Sequence, residues 1–498
     1  MTEEIDRIAQ IFNGSVIFLT GATGLVGKSL IEKLLRLTEV KKIYILIRSK
    51  KGKSPTERIK DLFNNPLFHQ LLNKKPEAIE KCIPIRGDVS LPMLGVSEVD
   101  RQNIVEETDF IIHSAATVRF DDSLKYAVTV NTRGTKFVLE LAEECKKLKL
   151  FVHVSTAYAF PNNTDGITYE KEYPPPADPH EVLSSINWLN DDILNEDLTK
   201  RLLGNIPNTY TFSKGLSEAI VYEKVGKIPL IICRPAIIIP AFKDPVPGWT
   251  NNLQGPSGLF VGAGKGVIRT VYMDTSCYAN FSPIDCTVSA IMVFSWYHLT
   301  TNNPNYIYNL CIPQKDLQIS WEEIFDTAKD VIHNDCPFNL MLWYPEGTIT
   351  KSRLYNKINT ILFQLLPALI LDLILLIAGQ KPQFWSIQNR ILNGMKMYEF
   401  YTIRKWDFET TQIEKIREVL NTTEKDHYQL EDKEKDVRKY LKHCILYLRR
   451  HYFKETDDML PAARRNMKIM YCLDKLVKFI FIGLAFYYIF YKTIFQRI

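Results

Sequence analysis

Residues Ser15 to Gly27 read S-V-I-F-L-T-G-A-T-G-L-V-G, and no other stretch of the chain narrows the choice of fold as far. Val16, Ile17, Phe18 and Leu19 form a continuous apolar run of β-branched, aromatic and aliphatic side chains, the composition of a parallel strand covered on both faces. A turn follows at once. Gly21 permits a tight exit from the strand, Gly24 lets the backbone approach a pyrophosphate, and Gly27 allows the next helix to pack closely on the strand. Phosphates at that point would face unpaired N–H groups and the positive end of a helix dipole. The G-x-x-G-x-x-G spacing is one residue wider than G-x-G-x-x-G, so the dinucleotide reading rests on the strand before the glycines and the helix after them. The competing reading is a glycine-rich turn with no ligand.

At 498 residues the chain exceeds one ordinary domain and predicts two or three. A net charge of +5 is small for this length, which argues against a dedicated nucleic-acid binder. Nine cysteines are scattered without a C-x-x-C pair or a histidine at zinc spacing, so they are expected to be reduced and mostly buried, with no metal site. The opening M-T-E-E-I-D-R is acidic and lacks an apolar core, which predicts no secretory leader.

Beyond the turn, Lys28 to Leu37 carries Leu30, Ile31, Leu34 and Leu35 at helical spacing, and Ile43 to Ile47 reads as the next buried strand, completing a βαβ unit. That strand runs into Arg48, about twenty residues past the glycines, where an NAD site ordinarily carries an acid for the ribose 2′-hydroxyl. An arginine there favours a 2′-phosphate and therefore NADPH. Ser49, Lys50, Lys51 and Lys53 add charge nearby, although a solvated basic loop has the same composition. A third strand, Cys82 to Ile85, leads to Gly87, Asp88 and Val89, from which a carboxylate can reach an adenine amino group. A fourth, Phe110 to Ile112, runs into H-S-A-A-T, where Ser114, Ala115 and Ala116 leave room for a cofactor beyond the strand ends. His113 reads as a hydrogen-bonded structural histidine.

Asn131 opens a helical run through Leu141, and Leu150 to Val154 is a fifth strand ending in Ser155-Thr156-Ala157-Tyr158. Hydroxyls at that strand end can polarise a carbonyl or simply tie down a loop. Between Phe160 and Pro207 lies an excursion rich in proline and acid, including P-P-P-A-D-P and N-D-D-I-L-N-E-D. Asn208-Thr209-Tyr210-Thr211-Phe212-Ser213-Lys214 then opens a helix, and a spacing of four sets Tyr210 and Lys214 on one face. A phenol near pKa 10 is a poor acid or base at neutral pH, and a neighbouring ammonium favours its ionised form. Lysine can also hold a nicotinamide ribose.

The blocks T-G-A-T-G-L-V-G-K, G-D-V-S-L-P-M-L-G, H-S-A-A-T-V-R-F-D-D, V-H-V-S-T-A-Y, N-T-Y-T-F-S-K and R-P-A-I-I-I-P-A-F-K-D-P-V-P-G-W occur in that order. Together they resemble the extended short-chain dehydrogenase/reductases and, within them, the alcohol-forming fatty acyl-CoA reductases with a male-sterility-type C-terminal domain. The resemblance covers nearly the whole chain. It implies an α/β Rossmann-type doubly wound parallel sheet with a substrate subdomain, then a mostly helical C-terminal domain and a membrane helix. It places Thr20, Gly21, Thr23, Gly24, Leu25, Val26 and Gly27, with Arg48, Asp88, Ala115, Ala116 and Asn131, at the NADPH. Tyr210 and Lys214 would carry the chemistry while touching the cofactor, Ser155 or Thr156 would take the hydroxyl position, and Arg234-Pro235 would end a substrate-side strand. Gly255 to Arg269 lacks the full P-loop spacing and is expected to form a substrate-side loop. The substrate implied is a long-chain fatty acyl-CoA, and the oligomeric state stays open.

Domain expectations are residues 1–350 for the NADPH-binding part, 351–380 for an apolar membrane-associated segment, 381–470 for a helical domain with F-W-S-I-Q-N-R-I-L and I-R-K-W-D-F as landmarks, and 476–495 for a transmembrane anchor. Ile361 to Ala378 is interrupted by Gln364, Pro367 and Asp372, which points to a re-entrant or interfacial segment near the substrate entrance, in contact with membrane lipid, rather than a clean span. Leu476 to Tyr491 is slightly short of a span, but Lys478 and Lys492 can snorkel and the pattern continues to Phe495. Arg464, Arg465, Lys468 and Lys475 precede it, which sets the bulk of the protein on the cytosolic side; the resemblance implies an endoplasmic reticulum or peroxisomal membrane. Two rival readings are a membrane-bound hydroxysteroid dehydrogenase of the same superfamily and a non-catalytic NADPH-binding scaffold.

Overall fold

The apolar run Val16–Thr20 (β1) is buried along its whole length and lies inside a seven-stranded parallel sheet. The structure is a computed structural model and describes residues 4–50, 52–162, 166–189, 196–253, 255–278, 280–301, 303–313, 318–431 and 436–495. Lys51, the first three residues and residues 190–195 of the acidic N-D-D-I-L-N-E-D run lie outside the described residues, as do the side chains of Lys492 and Phe495. The other strands are β2 (Lys42–Ile47), β3 (Cys82–Arg86), β4 (Phe110–His113), β5 (Leu150–Val154), β6 (Leu230–Pro235) and β7 (Ile307–Leu310). Their order across the sheet is β3-β2-β1-β4-β5-β6-β7, with every adjacent pair parallel. The chain therefore starts inside the sheet, third from one edge, winds outward to β3, and returns to build the rest from the central β4. That reversal leaves a crevice beyond the carboxyl ends of β1 and β4, where doubly wound sheets bind ligands.

The strands are near-continuous apolar because both faces are covered. Phe18, Ile111, Phe151 and Ile232 form one core with Phe212, Leu216 and Ile220 of the Thr209–Tyr222 helix. Burial of each such side chain stabilises by about 1.5–3 kcal/mol, so the helix carrying Tyr210 is held by its apolar face.

The chain divides into two compact units, neither continuous in sequence: Met1–Asn251 with Asn280–Gln318 and Lys405–Lys435, and Asn252–Ala279 with Ile319–Arg404 and Asp436–Ile498. The first holds the sheet. The second is mostly helical, with a core that includes Val261, Ile332, Phe338, Ile445, Leu448 and Met467. Its helices include Pro256–Gly264, Phe384–Thr402, Val437–His451 and the long Leu460–Phe495. The loop expected over Gly255 to Arg269 is instead a helix from Pro256 to Gly264 followed by a turn. Gly255 at φ 61° turns the chain into Pro256, which starts the helix at a position where no N–H is needed. A Cβ on Gly264 would come within 2.8 Å of Ile332 and 2.9 Å of Phe338, so this glycine serves close packing.

Candidate active site

The glycine turn brings the ends of β1 and β4 into direct contact. Gly21 has φ 76°, and a Cβ there would lie 2.6 Å from the Ala115 nitrogen. On Gly27 a Cβ would sit 2.4 Å from the Gly21 carbonyl oxygen, a backbone atom that cannot step aside. Thr20 fastens the two strands: its Oγ1 lies 2.8 Å from His113 Nδ1 and accepts the Ala115 N–H at 3.2 Å, while Ser114 Oγ donates to its carbonyl at 2.8 Å. The Leu25–Leu37 helix then starts from Gly24 with no side-chain cap. Its first N–H groups, from Leu25 and Val26 onward, have no partner within the helix, and Thr23, Ala115 and Ala116 are half-buried.

At the end of β2, Arg48 is half-exposed and donates to Asp88 at 3.1 Å. Asp88 also accepts the Ser90 N–H at 3.0 Å and its hydroxyl at 2.9 Å. Partial burial disfavours its charge, but the Ser90 hydrogen bonds and the Arg48 charge hold the carboxyl below its usual range. The two residues expected at the adenosine end are thus paired with each other. The sequence reading missed Arg58, which donates to the Arg48 carbonyl. Burial and then the Arg48 charge push its pKa down, against the opposing pull of Asp61. An arginine ten residues on, inside the Pro55–Phe63 helix, offers no motif signal.

The Thr209–Tyr222 helix places Tyr210 and Lys214 one turn apart, and the Tyr210 ring stacks on Phe120 at 5.8 Å between centroids. Lys214 is buried and donates to the carbonyl of Val154, the last residue of β5, at 2.7 Å. Burial brings its pKa down to about 8, against the opposing pull of Glu218. Val154 leads directly into Ser155 and Thr156. Ser155 Oγ is enclosed and has no hydrogen-bond partner among the described residues. Thr156 Oγ1 accepts the Tyr158 N–H at 3.3 Å, which leaves its hydroxyl proton to be donated elsewhere.

Asn131 is buried with its amide committed within the protein: Oδ1 accepts the Thr117 N–H at 2.8 Å, and Nδ2 donates to the Thr117 carbonyl at 3.0 Å and to Ser213 Oγ at 2.9 Å. These bonds brace the loop after β4 against the tyrosine helix. Beneath the site, His113 has both ring nitrogens bonded to threonines, Nδ1 to Thr20 and Nε2 to Thr135 at 3.0 Å. Burial, followed by the Lys214 charge, brings its pKa down to about 3, and His153, 5.5 Å away, is lowered for the same reasons. Two neutral imidazoles therefore lie near Lys214, and neither adds a competing positive charge.

Residues 19–291 match the male sterility protein NAD-binding family, and residues 363–455 match the C-terminal Sterile domain of male sterility proteins. The chain is 33% identical to rat fatty acyl-CoA reductase 1 over 461 residues, covering 92% of this chain and 89% of the rat protein. The chain belongs to the fatty acyl-CoA reductase family. It is also 34% identical to the Drosophila fatty acyl-CoA reductase wat over 471 residues, covering 94% and 90% of the two chains. Its fold is like that of the terminal R domain of the myxalamid biosynthetic pathway, with a TM-score of 0.60 at 21% identity over 89% of this chain and 92% of that one. The family places the chain among oxidoreductases that use a nicotinamide cofactor.

In this family member a distant segment also reaches the site. Trp406 and Phe408, from I-R-K-W-D-F, pack edge-on against Tyr158 at 5.1 and 5.2 Å, two residues past Thr156. The Trp406 carbonyl accepts from Asn280 Nδ2. On the Tyr210 helix, Glu218 receives Arg234 in a fully buried ion pair, with Nη2 2.6 Å from Oε2 and Nε 3.0 Å from Oε1. Arg234 also donates to the carbonyls of Tyr169 and Lys171, both at 3.1 Å, and to the Tyr222 hydroxyl at 2.9 Å. The end of β6, the tyrosine helix and the excursion after β5 thus meet on one guanidinium.

Proposed function

We propose that this chain reduces a long-chain fatty acyl-CoA to a primary fatty alcohol with NADPH, releasing CoA. The observation that carries the reading is the placement of Tyr210 and Lys214 one helical turn apart, with Lys214 tied to the strand end that presents Thr156. The residues fit the cofactor. Added Cβ atoms at Gly21 and Gly27 would close the turn, an uncapped helix N-terminus is ready for a pyrophosphate, and Arg48 and Arg58 suit a 2′-phosphate.

NADPH, when bound, supplies the hydride. The chain's own groups do the rest. The Tyr210 hydroxyl donates a proton to the carbonyl oxygen as negative charge develops there, and Thr156 gives it a second hydrogen bond. Lys214, held by the Val154 carbonyl, adds positive charge beside the phenol and a donor for the cofactor ribose. The enclosed Ser155 hydroxyl is the poorer candidate of the adjacent pair. Reduction of the thioester expels CoA and leaves an aldehyde, and the same two donors then face the aldehyde carbonyl for a second reduction.

A long acyl chain gives a reason for membrane attachment. From Leu476 to Tyr488 the Leu460–Phe495 helix exposes Phe479, Ile480, Phe481, Ile482 and Leu484 around its circumference, as suits an anchor in hydrocarbon. The basic residues before it favour a cytosolic catalytic unit, and the family reading sets the membrane as endoplasmic reticulum or peroxisome.

Membranes containing the protein, given NADPH and a ladder of acyl-CoAs, are expected to form alcohol with about two NADPH oxidised per CoA released. A product that stops at aldehyde, with one NADPH per CoA, would remove the alcohol assignment and leave the family intact. Arg48→Ala is expected to raise the NADPH KM by about 10- to 100-fold, the loss of one or two charge-assisted hydrogen bonds, with little change for NADH. Arg58→Ala should act in the same direction and more weakly. Equal effects on both cofactors would mean that neither arginine reads the phosphate.

A further inference from the structure

Among the described residues, Arg353–Ile377 is the helical stretch long and apolar enough to cross a membrane. Its packing argues for a different placement. The side chains it buries are Thr360, Gln364, Ala368 and Asp372, one every fourth residue, so a single stripe of small and polar groups faces inward. The large apolar side chains, among them Leu362, Phe363, Leu366, Leu369, Ile370 and Leu373, are exposed. A helix on a water-soluble surface has the opposite polarity.

The inward stripe is hydrogen-bonded along its length to its own unit. Asn356 Oδ1 accepts from the Thr270 hydroxyl at 2.9 Å, and Gln364 Oε1 accepts the Arg269 N–H at 2.7 Å. Asp372 accepts three consecutive N–H groups, from Gln383, Phe384 and Trp385 at 2.8, 2.9 and 2.8 Å, and so folds the Phe384–Thr402 helix back after the turn at Gly379. A helix tied to protein at residues 356, 364 and 372 cannot thread a bilayer without drawing that polar backbone in with it.

Charge indicates what covers the apolar face. Between residues 351 and 398 the one acidic residue is the buried Asp372. Lys357, Lys381, Arg390 and Lys396 are exposed, with no acidic partner among the described residues. A second copy of the chain on this face would bring the same four cations together. An anionic phospholipid surface complements both the charge and the apolar rows.

We propose that Arg353–Ile377 is a membrane-surface helix that lies in the plane of one leaflet, with Phe363, Leu366 and Leu369 in the acyl region and Lys357, Lys381, Arg390 and Lys396 at anionic headgroups. This is a second lipid contact besides the C-terminal anchor, and it uses none of the chemistry assigned to Tyr210, so activity results leave it untouched. The test uses the full-length chain with Cys472→Ser to remove the exposed native thiol. Single cysteines at exposed positions, Ser352→Cys and Gln380→Cys, are probed with an impermeant maleimide in intact membranes, and both are expected to react from the same face. Bimane on Phe363→Cys, in phosphatidylcholine vesicles with roughly one-third phosphatidylserine, is expected to be quenched several-fold by lipids brominated near the headgroup, and less without phosphatidylserine. Reaction of the two thiols from opposite faces would show a span and overturn the proposal. So would an unquenched bimane, which marks a wet surface if aqueous iodide reaches it and a protein partner if iodide does not.

Discussion

Tyr210→Phe is expected to lower kcat by about 10²- to 10⁴-fold, the range for loss of a positioned proton donor, while NADPH binding stays near its original strength. The phenol oxygen is the only atom removed, the Phe120 stacking needs only the ring, and the helix packs through Phe212, Leu216 and Ile220. Thr156→Val should cost about 10²- to 10³-fold in kcat, as for loss of one donor at a developing oxyanion. Ser155→Ala should change kcat little, because its hydroxyl is enclosed. Stopped-flow NADPH binding beside steady-state rates separates the effects. Substantial turnover in Tyr210→Phe would end the proton-donor assignment, and a damaging Ser155→Ala with a silent Thr156→Val would exchange the two hydroxyl roles.

Arg234→Met is expected to destabilise the sheet-bearing unit by about 3–5 kcal/mol, because it leaves Glu218 as an uncompensated charge in the core. Both side chains of the pair are 0% exposed. Burial opposes the Arg234 charge, but the Glu218 carboxylate more than offsets this and holds the guanidinium protonated. Replacing both partners, Arg234→Met with Glu218→Leu, should recover much of the loss, since two apolar groups need no counter-charge. Denaturant unfolding of the three variants measures this. A single-variant cost below about 1 kcal/mol would mean that water relaxes the site and the pair contributes as a surface bridge does.

The glycine turn, the strands around it and the Tyr210–Lys214 pair were legible in the chain because each is local. Parallel strands buried on both faces leave continuous apolar runs, a positive φ selects glycine, and a spacing of four sets two side chains on one helical face. The arrangement of Gly255 to Arg269 was not legible, because Gly264 answers to Ile332 and Phe338 some seventy residues away. Arg58 was hidden for a similar reason. Its closeness to Arg48 depends on how a helix after β2 folds back, and an arginine on an amphipathic helix is an ordinary surface residue.

The sequence alone determined that the chain would build a doubly wound sheet with a glycine turn and a tyrosine–lysine helix, since those features are written in continuous apolar runs, glycine spacing and a helical spacing of four. Tertiary structure decided the pairings between segments distant in sequence. It closed Arg48 on Asp88, turned Asn131 into a brace, and separated Ser155 from Thr156 by the partners each hydroxyl meets. It also set Trp406 beside Tyr158 and turned the polar stripe of Arg353–Ile377 inward. Such pairings depend on which buried donor finds which acceptor once backbone and side chains leave water, a condition on three-dimensional neighbours that no local pattern encodes.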